Sequence, residues 1–184
     1  MKYNKRTGRT ELSNKDFNLA IFYKDYVILD SSCLIHKSYI DFTDSLPASH
    51  LFSEDEEPIC FNTETKQFNG WKPTAGELDQ LLTGAKKASK PVRKTELCFT
   101  SYKVECQLFT NLESKHTQWL DKKYVALFQH SKADYSQHSK DSYIMLHLSG
   151  QLMGLIMPIK PRLAEDELDT LIRDLNLEPA KEIA

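Results

Sequence analysis

The strongest constraint on the fold is a helix followed by a hairpin, a pattern that the sequence contains twice. Each unit consists of a predicted short strand, a helix and two hairpin strands. In the first unit the short strand is residues 67–71, the helix is 74–89, and the hairpin strands are 95–100 and 104–109. In the second unit the corresponding ranges are 117–120, 121–131, 143–148 and 151–159. A repeat of this kind predicts an α+β fold, with one antiparallel sheet that carries both helices on the same face.

The first helix has the clearest local signal. Thr74 suits the N-cap, and Glu77 three residues later completes a capping box. Leu78, Leu81 and Leu82 follow at the spacing of a helix with one apolar face. These residues predict that the helix packs against the sheet.

The second unit has weaker signals of the same type. Asp121 can cap its helix, in which Tyr124 and Leu127 are three residues apart. Ser149 and Gly150 separate the last two strands and suit a two-residue hairpin turn. Trp71 and Trp119 precede the two predicted helices at corresponding places, where they indicate core packing or a pocket for a partner.

The sequence predicts three parts of the chain. Residues 1–12 are predicted to be a basic tail, residues 13–160 a single α+β domain with repeats at 59–112 and 117–160, and residues 161–184 a C-terminal helix with a tail. A capping-box pattern at Ser13 and Asp16 predicts a short helix that ends near Lys24. The acidic run at 54–57 indicates a solvated loop.

Composition favours a soluble protein of the cytoplasm. The formal net charge is −2, and no apolar segment in the 184 residues has the length of a membrane span or a signal peptide core. The four cysteines contain no C-x-x-C pair, so they are expected to be buried thiols, with a redox pair at Cys98 and Cys106 as the alternative.

Two short runs resemble a known family. Residues 155–160 read Leu-Ile-Met-Pro-Ile-Lys, and residues 120–125 read Leu-Asp-Lys-Lys-Tyr-Val. The first resembles the end of bacterial DNA sliding clamp subunits, and the second resembles the run that opens a clamp helix. Repeated strand, helix and hairpin units are also the plan of clamp domains. The resemblance covers residues from about 59 to 160. It implies a non-enzymatic module of DNA replication or repair, which could form a ring only as an oligomer of several copies. The small size of the chain adds the hypothesis of a phage or mobile-element origin.

Clamp-like function needs cations that face phosphates without reading bases. The candidate DNA-binding residues are Lys86, Lys87, Lys90, Arg93, Lys94, Lys122 and Lys123. Their alternative role is to keep surface helices soluble.

The rival hypothesis is a protein-binding or inhibitor module. Such a module would dock a partner through its sheet, its acidic loop or its C-terminal helix, where Leu168, Leu171 and Ile172 share one side. Neither hypothesis involves an enzyme, a metal or a cofactor, because the histidines form no zinc motif and no phosphate loop or nucleophile elbow is evident.

Overall fold

The computed structural model describes residues 1–43, 57–67, 72–85, 90–101, 103–111, 113–114, 116–139 and 142–160. Within these ranges the strands are β1 (Lys2–Asn4), β2 (Arg9–Leu12), β3 (Leu19–Tyr23), β4 (Tyr26–Leu29), β5 (Cys33–His36), β6 (Ile40–Phe42), β7 (Ile59–Asn62), β8 (Lys90–Ser101), β9 (Val104–Asn111), β10 (Thr117–Asp121), β11 (Asp134–Gln137), β12 (Ile144–Leu148), β13 (Gln151–Ile156) and β14 (Pro158–Ile159). The helices are α1 (Ala75–Ala85), α2 (Lys122–Leu127) and a 3-10 turn at Lys37–Tyr39. The described part of the chain is therefore mostly β.

The predicted α+β repeat, with both helices on one face of the sheet, is wrong. Along β12, Ile144 and Leu146 pack in the core that contains α2, whereas Met145 packs in the cluster that contains α1. Successive side chains of a strand point to opposite faces, so α1 and α2 lie on opposite faces of the same sheet. This sheet is antiparallel and has eleven strands, in the order β14-β10-β9-β8-β11-β12-β13-β5-β4-β3-β7.

The large sheet curls round on itself. β14 follows β13 after one residue, Met157, yet β14 pairs with β10 at the far end of the strand order. The seven strands from β14 to β13 therefore form an arc whose two ends are joined through Met157. α2 lies inside the curl, where Tyr124 and Phe128 pack against inward-facing residues of the sheet.

The N-terminal segment predicted to be a basic tail contains two strands. β1 and β2 form a hairpin, and β2 also pairs in parallel with β6 to make a second sheet of three strands. This small sheet packs against the inner core through Leu12, which is fully buried. Ile40 joins the same cluster from β6.

Several predicted elements are confirmed. α1 begins after Thr74, whose backbone N donates to Glu77 Oε2 at 2.8 Å while Glu77 N donates to Thr74 Oγ1 at 3.3 Å. Asp121 caps α2, since its Oδ1 accepts from Lys123 N at 2.8 Å. The hairpin strands of both units are present, and Ser149 and Gly150 form the last turn with φ values of 51° and 80°.

Other predicted elements are wrong or lie outside the described residues. The segment after Ser13 forms β3 and not a helix, and an additional strand, β11, lies between the second predicted helix and the last hairpin. Lys90, Arg93 and Lys94, which follow the first predicted helix in sequence, belong to β8. The segments 68–71, 86–89 and 161–184 and the acidic residues 54–56 lie outside the described residues.

Candidate functional site

The described cations that were predicted to contact DNA lie on two elements, β8 and the start of α2. Lys90 and Arg93 are exposed on β8, and Lys94 is partly exposed there. Arg93 pairs with Thr110 on β9, whereas Lys122 at the start of α2 contacts Glu105 on the same strand. At about 3.3 Å per residue, these two positions lie about 16 Å apart along β9.

The two lysines of α2 are engaged with carboxylates. Lys122 Nζ forms an ion pair with Glu105 Oε1, and Lys123 Nζ lies 3.2 Å from Asp30 Oδ2. Their charge is therefore largely compensated within the protein. Lys86 and Lys87, like Leu168, Leu171 and Ile172, lie outside the described residues.

A concave site lies on the outer face of the sheet, beneath α1. This apolar pocket has a volume of about 360 Å³. Its apolar walls are Ile21, Ile28, Leu34, Pro73, Leu78, Leu81, Leu155 and Met157. The polar residues at its edge are Glu77 and the two serines of the β4–β5 turn, Ser31 and Ser32.

One wall of the apolar pocket is built by α1. Leu78 and Leu82 are buried against the sheet, whereas Leu81 is only half-buried and faces the cavity. The carboxylate of Glu77 is engaged with Thr74 at the helix start, which lowers the pKa of Glu77 through hydrogen bonds from the Thr74 backbone and hydroxyl. The helix is thereby fixed at the end that borders the pocket.

The opposite wall ends in a turn with an unusual backbone. Asp30 and Ser31 have φ values of 49° and 56°, in the left-handed region that L-residues rarely adopt. Ser32 N closes the turn by donating to Leu29 O at 2.9 Å. Because such residues need support from their surroundings, the turn is expected to be held by other contacts.

Asp30 supplies that support. Its Oδ1 accepts from the backbone N atoms of Asn18 and Leu19 at 2.8 and 3.0 Å, and its Oδ2 accepts from the Tyr124 hydroxyl at 2.9 Å. Burial alone raises the pKa of this carboxylate, but the hydrogen bonds and Lys123 outweigh burial and lower the pKa below its ordinary value. Asp30 is therefore a carboxylate that connects the turn at the pocket edge to α2 through hydrogen bonds and an ion pair.

Cys33 lines the apolar pocket, and Tyr124 contacts Asp30 next to the pocket edge, but both are poor reactive groups. Burial raises the pKa of the Tyr124 hydroxyl, and the neighbouring Asp30 raises it further, so Tyr124 stays a hydrogen-bond donor. Burial also raises the pKa of the Cys33 thiol far above its ordinary value. Nucleophilic chemistry needs a thiolate, so Cys33 is not suited to it.

Met157 forms the exposed rim of the apolar pocket. Its side chain is 43% exposed, although the residue is fixed by a hydrogen bond from its backbone N to Ser32 O at 2.8 Å. Its neighbours in β13 and β14 are paired in the sheet. An exposed large apolar side chain on a rigid backbone, next to an apolar cavity, is a feature of interaction sites.

Sequence reasoning did not find this pocket, because its walls come from β3, β4, β5, α1 and β13. The local signal for one of its walls was the predicted apolar face of the first helix, which contains Leu78 and Leu81. Two tryptophans were predicted to pack in the core or to form a pocket for a partner. Trp119 is buried in a core cluster with Cys106 and Leu108, and Trp71 lies outside the described residues.

The cysteines are free thiols. Cys33, Cys60 and Cys106 are buried as predicted, but Cys98 is exposed, and Cys98 and Cys106 form no disulfide. Among the described residues, no group of three or more histidines, cysteines or carboxylates is arranged to hold a metal ion. No helix within the same residues has the length and apolar character required to cross a membrane.

The chain was compared with protein families, with curated proteins and with solved structures. No family, no curated protein and no solved structure matches it.

Proposed function

We propose that this chain is a protein-binding module, and that it receives a bulky apolar side chain of a partner protein in the apolar pocket beneath α1. The observation that carries this proposal is the pocket itself, an apolar cavity of about 360 Å³ with Met157 exposed at its rim. Its volume lies at the lower end of the range of roughly 300–1,000 Å³ that is typical of ligand cavities.

The polar groups of the pocket favour a protein side chain over a small polar metabolite. Sites for metabolites have a few polar groups that converge on the ligand. Here Glu77 is engaged with Thr74, and the Ser32 hydroxyl donates to Asp30 O at 3.0 Å. Apart from Ser31 at the edge, the remaining lining is apolar, which suits the leucine, methionine or aromatic anchors that dominate protein interfaces.

The experiment selects peptides from a random-sequence display library on the immobilised full-length chain. Selected peptides are then synthesised, and their affinities are measured by fluorescence anisotropy. We expect them to share a bulky apolar residue. We also expect Met157→Glu and Leu81→Glu to weaken their binding strongly, because each places a charge in the apolar cavity.

Gln80→Glu is the matched control. Gln80 is the exposed neighbour of Leu81 on α1, so this variant adds the same charge to the same helix outside the pocket. Circular dichroism establishes that all three variants are folded. Selected peptides that bind the folded Met157→Glu and Leu81→Glu variants as tightly as the original chain would contradict the proposal.

A second candidate function is association with DNA. One observation favours it: Lys90 and Arg93 are exposed on β8 and form no ion pair within the described part of the chain. This candidate predicts binding to plain duplex DNA that weakens as salt rises, with a log–log slope of about −0.9 per phosphate contact. The double variant Lys90→Glu, Arg93→Glu should abolish such binding, whereas Met157→Glu should not affect it.

A further inference from the structure

The outer face of the four strands β8, β9, β10 and β14 carries a cluster of apolar side chains. Trp119 on β10 lies opposite Leu108 on β9 and opposite Ile159 on β14. Residues that are paired in this way point to the same face of the sheet. The next residue, Leu120, packs in the core that contains α2, so Trp119 points away from that core. The other members of this outer cluster are Cys106, Leu97, Phe99 and Val104.

The centre of the outer cluster is covered. Trp119 is 3% exposed, and Cys106 and Leu108 are fully buried. Side chains of a strand stand roughly perpendicular to the sheet, so a neighbour such as Phe99, whose ring centroid lies 6.1 Å from that of Trp119, shields the sides of Trp119 but not its outer end. Within the described part of the chain, every member of the cluster belongs to one of the four strands. The cover is therefore supplied by residues outside the described ranges.

A polar atom in the outer cluster also needs a partner. The indole Nε1 of Trp119 is buried and has no hydrogen-bond acceptor among the described residues. Buried tryptophan N–H groups usually have an acceptor, as most buried polar groups do. We therefore expect the cover to contribute an acceptor as well as apolar side chains.

We propose that the chain's own C-terminal segment, residues 161–184, docks on the outer cluster and covers it. β14 ends at Ile159, which is a member of the cluster, so the segment begins at the edge of the face that it covers. The segment contains aspartates and glutamates that can accept from the indole N–H. It also contains four apolar residues at the spacing of one helix face, namely Leu168, Leu171, Ile172 and Leu175.

The dimensions and charges of the face suit this segment. Three strand spacings separate β14 from β8, which gives roughly 14 Å. A helix over residues 165–175, as their apolar spacing predicts, is roughly 16 Å long. At the far edge of the face, Arg93 lies opposite Thr110, is exposed, and forms no ion pair with another described residue. The segment has more carboxylates than cations, so it can pair with Arg93.

This docking changes the role of the C-terminal segment in binding. Leu168, Leu171 and Ile172 were candidate residues for a partner or oligomer interface. Docked on the outer cluster, these side chains are buried within their own chain and are not available to a partner. A partner protein then binds at the apolar pocket beneath α1 and not at the C-terminal helix.

Photo-crosslinking in the full-length chain tests the docking. One variant is Leu171→p-benzoylphenylalanine, and the control places the same photoreactive residue at Arg173, on the opposite side of the predicted helix. The folded protein is irradiated, and mass spectrometry identifies the linked residues. We expect the Leu171 variant to link within one chain to Phe99, Val104 or Ile159, and the Arg173 variant not to do so. Absence of such links, or links only between two chains, would overturn the proposal.

Thiol labelling is an independent second test. Cys98→Ser removes the exposed thiol, so that labelling of Cys106 in the outer cluster can be followed in the native protein. In this chain, Leu168→Asp with Leu171→Asp places two charges against the apolar face. We expect the labelling rate of Cys106 to rise by at least about tenfold, while Cys33 in the core that contains α2 stays unlabelled.

The matched control for this double variant is Thr170→Asp with Arg173→Asp. It adds at least as much negative charge to the opposite side of the predicted helix. Equal labelling of Cys106 in the test and control variants would contradict the docking. Labelling of Cys33 together with Cys106 would show that the whole chain has unfolded, and the crosslinks of the folded chain then decide the question.

Discussion

The ring of Phe128 lies directly on Gly154, in the space where any other residue would carry its Cβ atom. Phe128 follows α2, and Gly154 is in the middle of β13, so this contact seats the end of the helix on the inner face of the sheet. A Cβ at Gly154 would also stand 2.8 Å from the carbonyl oxygen of Leu34 on the neighbouring strand. Glycine is therefore required here by close packing.

We expect Gly154→Ala to destabilise the protein by about 1–3 kcal/mol, since both the Phe128 ring and a backbone carbonyl would have to move. Gly76→Ala is the control, because a Cβ at Gly76 meets no atom within 4 Å. That variant should leave stability unchanged or raise it by up to about 1 kcal/mol through helix propensity. Chemical denaturation measures both, and equal stabilities would contradict the close packing of Phe128.

A second prediction concerns Asp30 and acid. Its pKa is lower in the folded chain than its ordinary value, so its stabilising effect is complete above the unfolded pKa and is lost as pH falls through the folded pKa. Asp30→Asn keeps a residue that tolerates the left-handed backbone but removes the charge. We expect it to cost about 1–3 kcal/mol at neutral pH, and this cost should shrink in acid.

The matched control is Asp41→Asn, which removes the exposed ion pair with Arg9. Exposed pairs contribute less than about 1 kcal/mol, so this variant should change stability little at any pH. Denaturation in urea from neutral to acidic pH measures the difference between the two variants. A cost of Asp30→Asn that stays constant over this pH range would contradict the role of the carboxylate charge.

The third prediction concerns thiol reactivity. Burial raises the pKa of Cys33, Cys60 and Cys106, whereas Cys98 is exposed on β8. A thiol reagent at neutral pH should therefore label Cys98 rapidly in the native protein and label the other three only after unfolding. Mass spectrometry identifies the labelled residue, and Cys98→Ser should remove the fast reaction. Rapid native labelling of Cys33 would show that the turn at the pocket edge opens.

The fourth prediction concerns the capped end of α1. Thr74→Ala removes the hydroxyl that accepts from Glu77 N, and we expect a loss of about 0.5–2 kcal/mol. Thr83→Ala changes an exposed residue of the same helix and should be neutral or slightly stabilising. If α1 forms the wall of the binding site, Thr74→Ala should also weaken the selected peptides. Thermal unfolding and anisotropy test the two effects separately.

Local signals predicted the elements that depend on neighbours in sequence. The capping box at Thr74 and the Ser149–Gly150 turn are local interactions, and both are present. The similar signal at Ser13 was misleading. Its hydrogen bonds to Asp16 do form, at 2.7 and 2.9 Å, but they close a turn before β3. The β-favouring residues Ile21, Phe22 and Tyr23 then continue as a strand that is buried on both faces.

The faces occupied by the helices could not be predicted in this way. β12 is apolar at Ile144, Met145 and Leu146 because both of its faces are buried, so its sequence lacks the alternation that distinguishes an inner from an outer face. The pocket also depends on pairings between distant parts of the chain, such as β13 with β5. Only the three-dimensional arrangement brings Ile21 and Met157 to one cavity.

The junction at Met157 has a consequence for the order of folding. β10 obtains its second strand partner only when β14 arrives, and β14 is nearly forty residues later in the chain. Contacts between distant residues form slowly, because a long loop must first be closed. A growing chain that has not yet reached residue 159 therefore leaves the β10 edge without this partner, and during that time the edge is open to pairing with another chain.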